Sequence, residues 1–399
     1  MKTNNRVVEL EKNFSRMFWV QALMNFKLLN TVISIFYVHR GLSLEQIFLL
    51  SVVFAVTNLF AEIPSSYAAD RWGRKKTIAL AVCFMAVSSV FDFFSHSFTF
   101  FVFGLIIYAI SYAFLSGTDD ALIYDTIKEL GREKNSLLEL GKYYSAQKFF
   151  KIISPLLAVI IARDLLEWQF QVMIAIEFAT TIVGLFFVYR LVEPVHHMDL
   201  EKSETGIIKD AWGLIRRDQK LIQLILNRTL IFIASFLVWR IHQVYFVSRG
   251  ASVVMLGIMW AGVYTAVYFG SRNIGQTFSS YSASKKINIL NIICTTAIVA
   301  FAFASFFETH IILLLGICAV IMFTEPVRNS LFSHELNRKS LSFNRATTLS
   351  LSNFLKSTLE IPLILGAAFL VMYNPSYVFL LTAVISVGVV VFIPVRETV

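Results

Sequence analysis

The sequence predicts an all-α membrane protein, with twelve transmembrane helices arranged as two six-helix bundles. Three observations predict it: a composition too apolar for a water-soluble domain, apolar runs as long as a bilayer is thick, and a one-sided distribution of basic residues. Over 399 residues the hydrophobic fraction is 57% and the charged fraction 15%. Soluble domains run at roughly 45–50% apolar and about 25% charged. Mean hydropathy is +0.68, and 38 residues are phenylalanine, a side chain suited to lipid contact. A soluble fold of this length has nowhere to bury so much apolar surface, whereas a lipid-facing one has no such need.

A helix crossing the hydrocarbon layer needs ~20 mainly apolar residues. Twelve stretches qualify. In the first half they are Met17–Val38, Leu44–Ala69, Thr77–Phe94, Phe98–Tyr124, Tyr143–Ala162 and Trp168–Tyr189. In the second they are Leu221–Val247, Val253–Ser279, Ile287–Phe307, Ile311–Phe332, Ala346–Tyr373 and Tyr377–Val395. They are called spans 1 to 12 below. The first run is too long for the core of a signal peptide and lacks a small-residue cleavage site, so it reads as a retained span. Residues 1–190 thus form an N-terminal bundle, 191–220 a polar cytoplasmic linker, and 221–399 a C-terminal bundle. Within the linker, Asp210–Arg217 has the pattern of a short surface helix.

Basic residues set the orientation. With both termini inside, 25 of the 35 lysines and arginines are counted on the inside, 24 of them between or flanking spans and Arg328 near the inner end of span 10; only Arg40, Arg163 and Arg249 fall in outside loops. Removing one span would invert every later loop and spoil this bias. The net charge of +9 is spread over many loops and forms no single patch, which argues against a nucleic-acid partner. Cys83, Cys294 and Cys318 lie inside apolar runs without metal-binding spacing, so they read as buried thiols. No nucleotide-cradling, nucleophile-elbow or zinc-protease motif occurs, and no soluble stretch is long enough to hold an active site, so neither an enzyme nor an ATP-driven pump is expected. No cofactor, metal or catalytic residue is expected either.

After span 2 comes Ala69-Asp70-Arg71-Trp72-Gly73-Arg74-Lys75-Lys76. Gly73 supplies the flexible residue that a tight turn between antiparallel helices needs. Asp70 can pair with Arg74 or face a helix N-terminus. This run resembles the loop 2–3 signature of the major facilitator superfamily, with Ser66 standing where the signature has its first glycine. The resemblance implies alternating-access transport, with Asp70, Arg71, Gly73, Arg74 and Lys75 acting as a conformational latch. The matching place in the second half, Ser279–Lys286, keeps the basic pair but lacks the acid and the arginine. Glu62-Ile63-Pro64, Gly117–Asp125 and Arg345-Ala346-Thr347 resemble bacterial drug-efflux-like members. Two signatures of that group are absent: span 4 has no arginine, and span 5 reads Ser154-Pro155-Leu156-Leu157-Ala158.

Ionisable residues inside spans are costly and usually face a cavity or a partner. In the fold implied by the resemblance, spans 1, 4, 7 and 10 line the cavity, spans 2, 5, 8 and 11 flank it, and the rest lie outside. Lys27, Asn30, Thr31 and Ser34 recur at helical spacing and form a polar stripe on span 1. Asp119 and Asp120 near the inner end of span 4, with Asp125, face Lys148 and Lys151 at similar depth on span 5. Adjacent carboxylates suit a shared proton. With Glu62 these six are the proton and ion-pair candidates. Lys27, Asn30, Tyr112, Arg228, Arg240, Glu325, Lys356 and Glu360 are the cavity and substrate candidates, Lys356 and Glu360 standing one turn apart. Asp92 and Glu177, on spans 3 and 6, read as peripheral structural pairs. The aromatic side chains Phe26, Phe36, Tyr108, Tyr112, Trp239, Tyr245, Trp260 and Tyr264 offer π surface for a cation. The expected function is proton-coupled antiport, exporting small amphipathic compounds across a bacterial inner membrane as a monomer. Intramembrane cations leave uptake or exchange of a small anionic metabolite as the alternative.

Overall fold

The computed structural model describes residues 2–132, 136–195, 219–274, 280–339 and 345–396. The Asp210–Arg217 stretch and most of the linker lie outside the described residues. The chain divides into two compact units, one of Met1–Leu42 with Val53–Asp199, the other of Ser43–Val52 with Leu200–Val399. The first ten residues of the 43–72 segment thus group with the second unit. Among the described residues there are helices and no strands.

Nine of these helices are long and apolar enough to cross a membrane, and a shorter apolar helix covers Phe149–Ile161. Spans 1, 5 and 11 are missing from the nine. For spans 5 and 11 the described side chains cover only part of helices Ser136–Ile161 and Arg345–Val371, too short a stretch to count. Span 1 fails for a different reason: it is not one helix. A helix over Lys2–Met24 stops, a single tight turn occupies Leu29–Thr31, and a second helix runs Ile33–His39. Asn25 ends the first helix, its side-chain amide donating to the Gln21 carbonyl at 2.8 Å, the competition with backbone bonding expected of asparagine. The expected polar stripe on a continuous span 1 therefore does not exist. Lys27, Asn30 and Thr31 sit on the interruption.

Span 4 is also two helices, Phe98–Leu115 and Thr118–Glu129. Gly117 joins them at φ 78°, a left-handed conformation open to glycine at little cost. Spans 2 and 3 are helices Leu44–Trp72 and Arg74–Phe94, span 6 is Glu167–Tyr189 and span 7 is Gln219–Ser248. Span 8 is helical over Val253–Asn273, with residues 275–279 outside the described set. Spans 9, 10 and 12 are Ala283–Ala304, Ile311–Lys339 and Pro375–Phe392. Their starts carry chemical stops: Ser252 and Ser282 accept from the N–H groups of Met255 and Lys285, and Asn374 accepts from Ser376 just before and across Pro375.

Each unit has its own apolar core. In the first, Met17, Val20 and Met24 of span 1 pack with Ile78, Val82 and Met85 of span 3 and Leu122, Ile123 and Ile127 of span 4. In the second, Leu221, Leu224 and Ile225 of span 7 pack with Ile287 and Leu290 of span 9 and Val327, Leu331 and Phe332 of span 10. Helices approach closely where a side chain is missing. A Cβ on Gly104 would lie 2.7 Å from the Cβ of Phe91, so spans 3 and 4 meet at glycine.

Candidate functional site

Gly73 is the only residue between the helices of spans 2 and 3, at φ 94°. The helix starting at Arg74 presents unpaired N–H groups, as any helix start does. A carboxylate meets them. Glu193 Oε1 accepts from Arg74 N at 2.6 Å and Glu193 Oε2 from Lys75 N at 2.7 Å. A Cβ on residue 73 would come within 2.8 Å of that carboxylate, so glycine is required for space as well as for φ. The Arg74 guanidinium reaches Asp70 at 3.0 Å and Asp125 of span 4 at 3.6 Å. Arg71 turns the other way, donating to the Tyr67 hydroxyl at 2.5 Å. Asp70, Arg74, Asp125 and Glu193 thus form one charged knot joining the ends of spans 2, 3, 4 and 6.

Deeper in the same unit, Asp119 and Asp120 occupy the first turn of helix Thr118–Glu129, where the helix dipole favours anions. Asp119 accepts from the Asp120 N–H at 2.9 Å and from the Tyr143 hydroxyl of span 5. Lys151, half-buried on span 5, makes no ion pair with either aspartate among the described residues; the side chain of Lys148 lies outside them. Lys27 at the interruption of span 1 reaches Glu177 of span 6 at 3.3 Å. The other oxygen of Glu177 accepts from Leu29 N at 2.7 Å, so the carboxylate braces the turn as well as the ammonium. Asn30 is exposed and Tyr112, also exposed, lies edge-on to Phe54 at 5.7 Å. Glu62 sits half-buried two residues before Pro64, its carbonyl accepting from the Ser65 and Ser66 hydroxyls.

In the second unit, Arg228, Phe232, Phe236 and Trp239 share one half-buried face of span 7. Phe232 stacks on Phe236 at 6.1 Å and Phe236 on Trp239 at 5.7 Å. The Lys356 ammonium of span 11 lies 4.5 Å over Phe232, and its carboxylate partner Glu360 is 3.7 Å away in the same helix. Arg228 donates to Asn329 at 3.0 Å, and Glu325 of span 10 is in electrostatic reach of Arg228, Arg328 and Lys356. Arg240 donates to the Ile47 carbonyl through Nε and Nη2, at 3.2 and 3.1 Å. Arg328 is wholly buried. It donates to Asn291 at 3.0 Å and to the Arg228 carbonyl at 3.2 Å, while Asn291 and Asn227 bond each other.

The sequence matches the description Major Facilitator Superfamily over residues 20–357. The chain belongs to the major facilitator superfamily. Solved structures agree with that fold. The nucleoside transporter NupG superposes with a TM-score of 0.76 at 15% identity, over 96% of this chain and 98% of that one. A bacterial homologue of the human lysosomal transporter Spinster gives 0.72 at 15% identity, over 96% and 95%. A D-xylose–proton symporter gives 0.68 at 13% identity, over 97% and 98%. No curated protein sequence matches the chain. Superfamily membership and transporter neighbours place the chain among multi-pass membrane transporters of small molecules rather than among enzymes, in the twelve-helix, two-bundle architecture.

For this superfamily member, sequence reasoning missed two residues. By its position Glu193 falls in the 191–220 linker, one polar residue among many. The clue was structural need: the N–H groups after Gly73 require an acceptor, and Glu193 stands just past the end of span 6. Arg328 was counted among the inside cations, whereas it is buried inside the second unit. Its position one turn after Thr324, within an apolar run, was the available sign. Glu177, read as peripheral, is the partner of Lys27.

Proposed function

We propose that this superfamily member is a proton-coupled antiporter that exports small amphipathic compounds by alternating access. The observation that carries this reading is the stacked Phe232, Phe236 and Trp239 face of span 7, left half-buried with Lys356 and Glu360 at one end. Flat aromatic surface beside a carboxylate suits a planar or cationic amphipath, at about 0.5–2 kcal/mol per favourable contact. The hydrogen-bonded Asp119–Tyr143 pair, with Asp120 adjacent, supplies a carboxylate able to pick up and release a proton. The Asp70–Arg74–Asp125 knot, with Arg71, Gly73 and Lys75, serves as the latch that one conformation closes and the other opens. We assign the protein to a bacterial inner membrane, as a monomer with both termini in the cytoplasm.

The test uses proteoliposomes carrying an imposed pH gradient and a fluorescent lipophilic cation. Proton flux should depend on that probe and fall in Asp119→Asn and in Asp120→Asn. Flux unchanged in both variants would remove the proton-carrier role. Trp239→Ala should weaken probe binding by about tenfold, the loss of one aromatic contact. Labelling of a cysteine placed in the Asp70–Lys76 loop by an impermeant external reagent would reverse the orientation.

One observation favours a second reading. Arg228, Arg328 and Lys356 outnumber Glu325 and Glu360 around the same face, leaving it positive. Uptake or exchange of a small anionic metabolite would use that surplus, and counterflow of a labelled organic anion would reveal it.

A further inference from the structure

The interruption of span 1 has a built charge cluster behind it. Lys27 Nζ is 3.3 Å from Glu177 Oε2, and Glu177 Oε1 accepts from Leu29 N at 2.7 Å. Both Glu177 oxygens are therefore engaged. Asp92 of span 3 is in electrostatic reach of Glu177, of Lys27 and of Arg40. Tyr108 of span 4 is also in electrostatic reach of Lys27. Span 5 brings Phe150, edge-on to Phe26 at 5.5 Å. Arg40, the next cation outward, is committed to Glu167 at 2.5 Å and to the Ser95 and Phe93 carbonyls. The remaining charges are one ammonium and two carboxylates, a surplus of one negative charge in an apolar bundle. Uncompensated charge there is expensive.

We propose that Asp92, together with Glu177 and Lys27, forms an exchangeable proton site inside the first unit. One proton on Asp92 brings the cluster to neutrality while leaving both bonds of Glu177 intact. A metal cation has no place in it: the Lys27 ammonium already stands where a cation would balance Glu177. Among the described residues no group of three metal-ligating side chains is found. The site also explains why an interrupted helix is placed here. Non-helical backbone at membrane depth is stable only when protein groups satisfy it, and Glu177 does so for Leu29 while holding Lys27. Ionisation of Asp92 competes with Glu177 for Lys27, which links protonation to the brace on span 1. The inference deepens the proton-coupled reading and rests on it only in taking the proton as one used for coupling.

Infrared difference spectra of the reconstituted protein read the site directly, without a substrate. The wild type should show a carboxylic-acid carbonyl band that grows as pH falls and shifts in deuterated buffer. Asp92→Asn should lose one such band, and Glu177→Gln should move its titration. Among the described residues Asp92 makes no hydrogen bond for the asparagine variant to remove, so folding should be retained, checked by an unchanged gel-filtration profile. Bands identical to wild type in both variants would overturn the proposal and leave a static ion pair. Loss of the band in Asp92→Asn, alongside wild-type transport that ignores an imposed pH gradient, would uphold the site and retire the coupling reading.

Discussion

The two units solve the same problem, charge inside an apolar bundle, in opposite ways. In the first, buried cations meet carboxylates: Lys27 meets Glu177, Arg40 meets Glu167, and Arg74 meets Asp70 and Asp125. In the second, arginines meet neutral oxygens. Arg328 donates to Asn291 and to a backbone carbonyl, Arg228 to Asn329, and Arg240 to Ile47. An arginine–carbonyl contact has no member that titrates in the accessible range, because guanidinium stays protonated. A lysine–carboxylate contact does. The buried lysine–carboxylate contact, Lys27–Glu177, is in the first unit; that of the second, Lys356–Glu360, has its ammonium exposed. The second unit sets a framework of arginines beside an aromatic face.

The largest effect that would test this contrast is the loss of Lys27. Lys27→Met leaves Glu177 buried without its partner, a change that typically costs about 3–5 kcal/mol. A proton on Glu177 removes the stranded charge. The loss of stability should therefore be greatest at alkaline pH and shrink as pH falls, measured by thermal unfolding of the purified protein in detergent. A penalty independent of pH would show that the first unit does not respond to protons at this point.

Arg328→Met makes the matched change in the second unit. It strands the Asn291 amide oxygen and the Arg228 carbonyl, at about 2 kcal/mol in all. Of the groups left behind only Glu325 can take up a proton, and it keeps Arg228 and Lys356 as neighbouring cations, so the loss should vary with pH less than in Lys27→Met. A pH dependence as large as that of Lys27→Met would collapse the distinction between the units.

How much of this was legible beforehand depends on what each feature needs. Hydropathy locates the spans because lipid contact requires apolar residues along the whole length, and that requirement is local. The interruptions of spans 1 and 4 are not visible to it. Gly117 and the Asn25–Thr31 run are the local traces, but whether a helix breaks there depends on a partner far along the chain, Glu177 in one case. Arg328 was misplaced for the same reason. A cation at the end of an apolar run reads as one at the inner surface unless Asn227 and Asn291 are known to await it. The loop around Gly73 was legible because its turn, charge and pairing are all encoded within a few residues. Only its acceptor, Glu193, came from far away.

Glu193 gives a smaller test. Glu193→Gln keeps one oxygen for the Arg74 or Lys75 N–H but gives up the second bond and the charge facing the helix start. The expected loss is about 0.5–2 kcal/mol. Transport should change more than stability if the knot is a latch, since weakening one conformation shifts the balance between two. Equal transport with reduced stability would make it a fastener only.

The smallest effect belongs to an ion pair outside the membrane. Glu9 is bonded to Lys12 at 2.5 Å and to Arg16 at 2.7 Å, ahead of span 1. The Lys12 hydrogen bond, then that of Arg16, holds its carboxyl down at about 2. A lowered carboxyl of this kind favours the folded state above the ordinary carboxylate range, and loses that effect as pH falls towards about 2. In solvent the charges are screened and the side chains mobile, so Glu9→Gln should leave the unfolding temperature within measurement error at neutral pH. The pair has the same chemistry as Lys27–Glu177. A clear loss in Glu9→Gln would mean that ion pairing as such, wherever it lies, stabilises the first unit; no loss, against a large one in Lys27→Met, assigns the difference to burial in the bundle.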